Sequence, residues 1–168
     1  MPHLDAAYRF ARWLGRSSTD AEDVVQEALL RAFRAFDTLH GTDVKVWLLA
    51  IVRNCQATAL KQQLRRAAEA LPAEEEEPLG AAASAATPDP ESAALAADDR
   101  RTLDRLIAAL PEEHREVLLL REVEDLSYRE IAAVTAIPIG TVMSRLARAR
   151  AALRMSWQQL EGEGRAVR

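Results

Sequence analysis

The stretch LSYREIAAVTAIPIGTVMSRLARAR, residues 126–150, decides the predicted fold. Ser127 and Glu130 have the spacing of a capping box, in which each residue satisfies a backbone donor at the start of a helix, so a helix is predicted over 128–134. The next five residues include Pro138 and leave room only for a turn before a second helix. Two helices joined this closely are typical of a helix-turn-helix.

The second helix of this pair is predicted over about 140–160 and is amphipathic. Its apolar residues recur at four- and three-residue steps and form a predicted buried stripe, which consists of Val142, Leu146, Ala149 and Leu153. The opposite side carries hydroxyls and arginines, which can hydrogen-bond base edges in a major groove, while flanking arginines can meet phosphates. The alternative is that these arginines form only a solvated face. The residues concerned are Thr141, Ser144, Arg145, Arg148, Arg150 and Arg154.

Charge is distributed unevenly along the 168 residues, although the net charge is −4. Residues 131–160 contain four arginines and no acid, and residues 1–66 contain ten basic and seven acidic residues. Residues 67–98 contain eight acids and no base, with little apolar bulk, and are predicted to be a flexible linker. The glutamates at 74–77 are interpreted as a solvated spacer, with an electrostatic decoy for the basic surfaces as the alternative.

Three helices are predicted before the linker. The first covers 5–14, and the second begins after a capping box formed by Thr19 and Glu22. The apolar residues of the second helix recur at helical spacing and are predicted to face the interior: Val25, Ala28, Leu29, Ala32, Phe33 and Phe36. The third begins at about Val44 with an apolar face formed by Trp47, Leu48, Ile51, Val52, Cys55 and Leu60.

Two further helices are predicted between the linker and the helix-turn-helix, at about 93–110 and 112–122. The fold class is therefore all-α, with two small helical domains at 1–66 and 99–157, the linker at 67–98 and a frayed tail at 158–168. High aliphatic and alanine content and few aromatic residues favour helices over strands.

Several functional classes lack support in the sequence. The lone cysteine, Cys55, is interpreted as a buried structural thiol, and the histidines at 3, 40 and 114 have no metal-ligand spacing. No nucleophile motif or glycine-rich phosphate loop appears, so we expect no enzyme activity, metal or cofactor. No apolar run approaches the length of a membrane span and no signal peptide is recognisable, so we expect a cytoplasmic protein without membrane insertion.

Both predicted domains carry motifs of one family. Residues 126–150, with LPEEHREVLLL at 110–120, closely resemble region 4 of extracytoplasmic-function (ECF) sigma factors, a subfamily of the sigma-70 family. Residues 20–33, DAEDVVQEALLRAF, resemble region 2.2, and residues 47–54, WLLAIVRN, resemble the helix of regions 2.3 to 2.4. The two signatures occur in the family's order around a linker, and together they cover nearly all of residues 5–155.

The resemblance implies an RNA polymerase sigma factor that binds core polymerase and directs promoter-specific initiation in the bacterial cytoplasm, associated with the nucleoid. The implied partners are the clamp helices of the largest subunit, the flap of the second-largest subunit, promoter DNA and an anti-sigma factor. The residues implied to bind polymerase are Asp23, Gln26, Glu27, Leu30 and Arg31. Those implied to hold the minus-ten element, with a flipped base in the loop 41–45, are Thr42, Asp43, Lys45, Trp47, Asn54, Lys61 and Arg65. Those implied to contact the minus-thirty-five element are Thr141, Met143, Ser144, Arg145, Arg148 and Arg150.

The chain departs from the family pattern at a few of these positions. Thr58 and Lys61 stand where relatives often have an acid and an arginine, and Met143 and Ala147 stand where relatives are frequently basic or bulky. The alternative to a sigma factor is a helix-turn-helix regulator that binds duplex DNA without joining polymerase. Such a regulator would need a receiver or ligand domain, and residues 1–66 lack the strand alternation of a receiver.

Overall fold

The computed structural model describes residues 3–15, 18–39, 43–69 and 90–166. These residues form seven α-helices and one short 3₁₀ helix, and the described residues contain no strand, so the all-α prediction is confirmed. The helices are α1 (Leu4–Leu14), α2 (Ser18–Arg34), α3 (Val44–Glu69), α4 (Pro90–Ala108), α5 (Glu112–Glu122), α6 (Tyr128–Thr135) and α7 (Ile139–Ala166), and the 3₁₀ helix is Phe36–Thr38.

Helices α1, α2 and α3 pack against one another and form the first module. Small and β-branched residues line the contact, which allows close approach of the helices around Phe10, whose side chain is fully buried. The buried residues of α2 are Ala21, Val24, Val25, Ala28 and Ala32, and Leu29 packs against their edge. The burial predicted for Val25, Ala28 and Ala32 is thus confirmed.

The predicted interior face of α2 extends too far at its end. Phe33 is 83% exposed and Phe36 is 61% exposed, so their predicted burial is wrong. At 3.6 residues per turn, Phe33 lies roughly 80° around the helix from Val25. Val24 and Ala21 shift the centre of the buried face in the opposite direction, so Phe33 points away from α1 and α3. Phe36 lies beyond the end of α2, in the 3₁₀ helix, where the α-helical spacing no longer applies.

A capping box was predicted for the start of α2, and the structure shows a side-chain cap at the start of α3. Helix α2 already includes Ser18, so Thr19 lies inside its first turn and the capping box predicted for Thr19 and Glu22 is wrong in register. Helix α3 is capped by Asp43, because its Oδ1 accepts hydrogen bonds from the backbone N–H groups of Lys45 (2.7 Å) and Val46 (3.4 Å).

Helices α4 to α7 form the second module, in which α5, α6 and α7 contact one another and α4 lies on α7. The capping box at the start of α6 is confirmed: Ser127 N–H donates to Glu130 Oε2 at 2.7 Å and Glu130 N–H donates to Ser127 Oγ at 3.3 Å. Helix α6 is followed by Ala136, a non-glycine residue with φ of 54° in the left-handed region. The axes of α6 and α7 then differ by 101°, as a helix-turn-helix requires.

The predicted buried stripe of α7 is confirmed. Val142, Leu146 and Ala149 are buried, and Leu153 packs against the same core. The helix continues to Ala166, beyond the predicted end at 160 and into the segment predicted as a frayed tail. Trp157, Gln158 and Gln159 offer no helix-breaking residue that would stop α7 earlier.

Helices also enter the predicted linker from both sides. Helix α3 continues to Glu69 and α4 begins at Pro90, where proline suits the first helical position. The glutamates at 74–77 lie outside the described residues, and so do His40 and the first two residues of the predicted base-holding loop, Gly41 and Thr42.

The two modules contact each other along α3 with α6 and α1 with α5, and their buried residues form one continuous cluster. No single helix among the described residues is long and apolar enough to span a membrane, while the bent pair of α6 and α7 passes that test only when both helices are counted together.

Candidate polymerase and nucleic-acid interfaces

The residues predicted to bind polymerase lie on the outer surface of α2. Asp23 and Gln26 are exposed, Leu30 is 53% exposed, and Arg31 Nε donates to Glu27 Oε1 at 2.7 Å. This bond raises the pKa of Arg31, which stays charged. The five residues therefore share one polar, solvent-facing strip with a single apolar residue in it.

An exposed apolar surface extends this strip towards the end of α2. Leu30, Phe33 and Phe36, hereafter the aromatic patch, follow one another at three-residue steps and are all more than half exposed. Two phenylalanines this exposed and only three residues apart are uncommon unless a partner covers them. Neither phenylalanine was predicted as a binding residue, because helical spacing alone placed both in the interior face of α2. A signal of their exposure in the sequence is that they follow the small buried residues Ala28 and Ala32 at the end of the stripe.

The residues predicted to hold the minus-ten element fall into two groups on α3. Asp43, Lys45 and Trp47 lie at its start, where Asp43 caps the helix and Trp47 is half-buried against the core. Asn54, Lys61 and Arg65 lie further along α3 and are exposed. Thr58 Oγ1 donates to the carbonyl of Asn54 at 2.9 Å, so its hydroxyl is held on the helix backbone.

The face of α7 opposite the buried stripe is open to solvent. Met143, Ser144, Ala147 and Arg148 are exposed, and Thr141 is half-buried beside them. Ser144 Oγ donates to the carbonyl of Thr141 at 3.0 Å, which leaves the serine oxygen free to accept a second hydrogen bond. The exposed face thus combines two hydroxyls, one arginine and an apolar pair at positions 143 and 147.

Two other predicted DNA-contacting arginines are paired with acids of α5. Arg150 donates twice to Glu122, at 2.6 and 3.1 Å, and these bonds raise its pKa. Arg145 is hydrogen-bonded to Glu113, and only 21% of its side chain is exposed. Although the sequence of α7 contains no neighbouring acid, the fold supplies one to each of these arginines.

Ion pairs also join the two modules. Glu124, whose side chain is 1% exposed, pairs with Arg9 and Lys45 at 3.0 Å each. Glu116, whose side chain is 8% exposed, accepts a 2.5 Å hydrogen bond from Arg53. Burial raises the pKa of Glu116, and Arg53 opposes this effect. Both carboxylates come from the second module, and their cationic partners come from the first.

A polar cavity of about 360 Å³ lies beside the pair formed by Arg53 and Glu116. It is lined by both modules, and Arg145 reaches it from α7. The buried Oε1 atom of Gln56, which also lines the cavity, has no hydrogen-bond partner in the described part of the chain. A second, apolar groove of about 270 Å³ lies on the second module between α4, α5 and α7, and Leu103, Ile107, Val123 and Leu153 are among its lining residues.

Cys55 is buried, as predicted, and burial raises the pKa of its thiol. Across the residues that the structure describes, no group of three or more His, Cys, Asp or Glu side chains could hold a metal ion.

Comparison with known proteins identifies the family of both modules. Residues 1–66 match the family "Sigma-70 region 2" and residues 100–153 match "Sigma-70, region 4". The chain is 40% identical over 141 residues to the ECF RNA polymerase sigma-E factor of Escherichia coli K12, an alignment covering 81% of this chain and 73% of that protein. It is 35% identical over 156 residues to ECF RNA polymerase sigma factor SigE of Mycolicibacterium smegmatis, covering 90% of this chain and 57% of that protein.

Among solved structures, the chain resembles the sigma factor RpoE of Bartonella quintana, which was crystallised in complex with the anti-sigma factor NepR. The TM-score is 0.77 at 26% identity, and the alignment covers 94% of this chain and 92% of that one. The helix-turn-helix, the module before it and the match of each to its own sigma-70 region favour a sigma factor over a stand-alone regulator. The chain belongs to the ECF group of the sigma-70 family of RNA polymerase sigma factors.

Proposed function

We propose that the two modules of this sigma factor divide the work of initiation. The first module binds core polymerase and holds the opened minus-ten element, and the second module reads duplex DNA at the minus-thirty-five element. The observation that carries the proposal is the solvent-exposed outer face of α7, which lies above a buried apolar stripe in a chain whose first module matches region 2. The chain itself acts as a binding and positioning protein in the bacterial cytoplasm, at the nucleoid, without metal, cofactor or catalysis of its own.

The polymerase contact is assigned to two surfaces. The strip Asp23 to Arg31 and the aromatic patch are assigned to bind the clamp helices of the largest subunit, because an apolar centre with a charged rim suits contact with a pair of helices. The apolar groove between α4, α5 and α7 is assigned to bind the flap of the second-largest subunit, since the exposed side chains of Leu103 and Val123 border it. An anti-sigma factor would compete for the same exposed surfaces.

Promoter contact is assigned to basic side chains of both modules that extend into solvent. Lys61 and Arg65 extend along α3 on the solvent side and can follow a strand backbone. On α7, Arg148 is fully on the outer face, and Arg145 can turn from Glu113 to a base edge with little loss, since Glu113 is itself 55% exposed.

Run-off transcription with purified core polymerase across a promoter library tests the proposal. We expect transcripts from a defined subset of promoters, and absence of any transcript from every template would contradict it. Arg148→Ala and Arg145→Ala should each weaken binding to the upstream element by about 1–3 kcal/mol and relax its sequence preference. Arg105→Ala, at an exposed position of α4, is the matched control and should change neither.

A further inference from the structure

Two cations of the first module converge on one carboxylate of the second. Arg9 on α1 donates from Nε to Glu124 Oε1 at 3.1 Å and from its terminal nitrogen to Oε2 at 3.3 Å. Lys45, in the first turn of α3, lies 3.0 Å from Oε2 and donates to the carbonyl of Glu124 at 2.7 Å. The first module therefore carries a two-cation anion site, and an anion from the second module occupies it.

The chemistry of this site is not specific for a carboxylate. The planar guanidinium donates two parallel hydrogen bonds, and phosphate oxygens match this geometry as well as carboxylate oxygens do. Half of the Arg9 side chain and a quarter of the Lys45 side chain stay exposed, whereas Glu124 is enclosed. Withdrawal of Glu124 would thus leave both cations open to solvent and ready for another anion.

The site also lies where a promoter strand must pass under the proposed function. Lys45 is two residues before Trp47, at the end of the loop assigned to the minus-ten element. We propose that Arg9 and Lys45 form a phosphate site for the opened promoter strand, and that Glu124 fills this site in the closed chain as an intramolecular competitor. This inference rests on the proposed function, and it adds Arg9 of α1 to the strand-binding residues.

Promoter geometry requires the carboxylate to leave. Elements centred about 25 base pairs apart are separated by roughly 85 Å at 3.4 Å per base pair. In the structure the two modules are in direct contact, with Lys45 Nζ 3.0 Å from Glu124. One chain cannot occupy both elements in this arrangement, so the modules separate on the promoter and the site exchanges a carboxylate for a phosphate.

Anisotropy titration of the full-length chain with a fluorescein-labelled oligothymidylate of about 12 nucleotides tests the exchange, because backbone contacts need no particular base. Glu124→Gln should raise affinity at least threefold by emptying the site. The matched control is Asp125→Asn, which removes the same charge one residue later at a 96% exposed side chain, and asparagine suits its φ of 52°. Equal gains in both variants, or no gain in folded Glu124→Gln, would overturn the inference.

The Arg9→Gln variant distinguishes a phosphate contact at this site from a general separation of the two modules. Each lost phosphate contact reduces the slope of log K against log salt by about 0.7 for a single strand. We expect that reduction for Arg9→Gln both alone and combined with Glu124→Gln, and an unchanged slope would overturn the inference even if Glu124→Gln failed to fold. Run-off transcription with the wild-type chain distinguishes the two proposals. If the chain directs transcription but the variants show no change in affinity or salt slope, only the phosphate site is contradicted. If the chain directs no transcription, the proposed function is contradicted.

Discussion

Truncation of Phe33 distinguishes a core residue from a docking residue. A phenylalanine side chain presents about 200 Å², and Phe33 is 83% exposed. At about 25 cal/mol per Å², complete covering of that surface by a partner corresponds to an upper bound of roughly 4 kcal/mol. Association and side-chain ordering offset part of this gain, so Phe33→Ala should weaken binding to core polymerase by about 2 kcal/mol, or ~30-fold in Kd.

Stability should respond differently. A phenylalanine buried in the core loses about 3–5 kcal/mol on truncation, whereas an exposed one changes the free energy of unfolding by less than about 0.5 kcal/mol. Chemical denaturation of Phe33→Ala therefore reports directly on the position of its side chain. We expect a denaturation midpoint close to that of the wild-type chain.

The assay is a titration of labelled sigma factor with purified core polymerase, run beside denaturation of the same preparation. Met155→Ala is the matched control, because Met155 is an apolar side chain that is 63% exposed on α7, outside the aromatic patch. Unchanged core affinity of a folded Phe33→Ala variant would refute the docking role. A loss of several kcal/mol in stability would instead refute the exposed placement.

Four further predictions concern the helix-turn-helix. Ser127→Ala should lower the free energy of unfolding by about 1 kcal/mol through loss of the cap. Hydrogen bonds from Ser127 lower the pKa of Glu130 in the folded chain. The contribution of Glu130 to the free energy of unfolding is therefore complete above the pKa of an unfolded glutamate and is lost as the pH falls through the lowered value. Glu130→Gln should remove this part of the pH dependence of stability at acid pH, as measured by denaturation at a series of pH values. Ala136→Gly should raise the thermal midpoint, with a gain of about 0.5 kcal/mol, because glycine adopts positive φ without strain. Leu146→Ala, at a 2% exposed position, should cost about 3 kcal/mol in denaturant titration, and a neutral result would contradict the assigned faces of α7.

Two features of the helix-turn-helix that depend on neighbouring residues were predictable from the sequence, whereas the equally local capping box of Thr19 and Glu22 was not. The capping box of Ser127 and Glu130 and the stripe through Val142 and Leu146 use contacts within one or two helical turns, and both occur as predicted. Prediction from periodicity fails where the packing of neighbouring helices determines which side of a helix is covered. Periodicity assigned Phe33 to an apolar stripe, but α1 and α3 cover only the side of α2 centred on its alanines and valines.

Contacts between distant residues were not predictable, although they determine how several site residues are held. Arg9 and Glu124 are 115 positions apart, and Lys45 and Glu124 are 79 apart, so no spacing rule relates them. The basic run of α7 likewise looked free of acids, because Glu113 and Glu122 belong to another helix. The assignment of individual residues to polymerase and DNA stays a prediction.

Helix α3 has two thermodynamically different halves. Its first half is anchored by Val46, Leu49 and Val52 in the core, whereas residues 61–68 are exposed around the whole circumference. This segment has little packing beyond a hydrogen bond from Gln63 to Asp20 of α2 at 3.3 Å, so it is held chiefly by local propensity, and short helices of this kind are marginal in water. Amide hydrogens should therefore exchange rapidly beyond residue 60 and slowly before Cys55. Under the proposed function, Lys61 and Arg65 would lie on a weakly held extension that adjusts its course to a nucleic-acid backbone, at the expense of ordering entropy on binding.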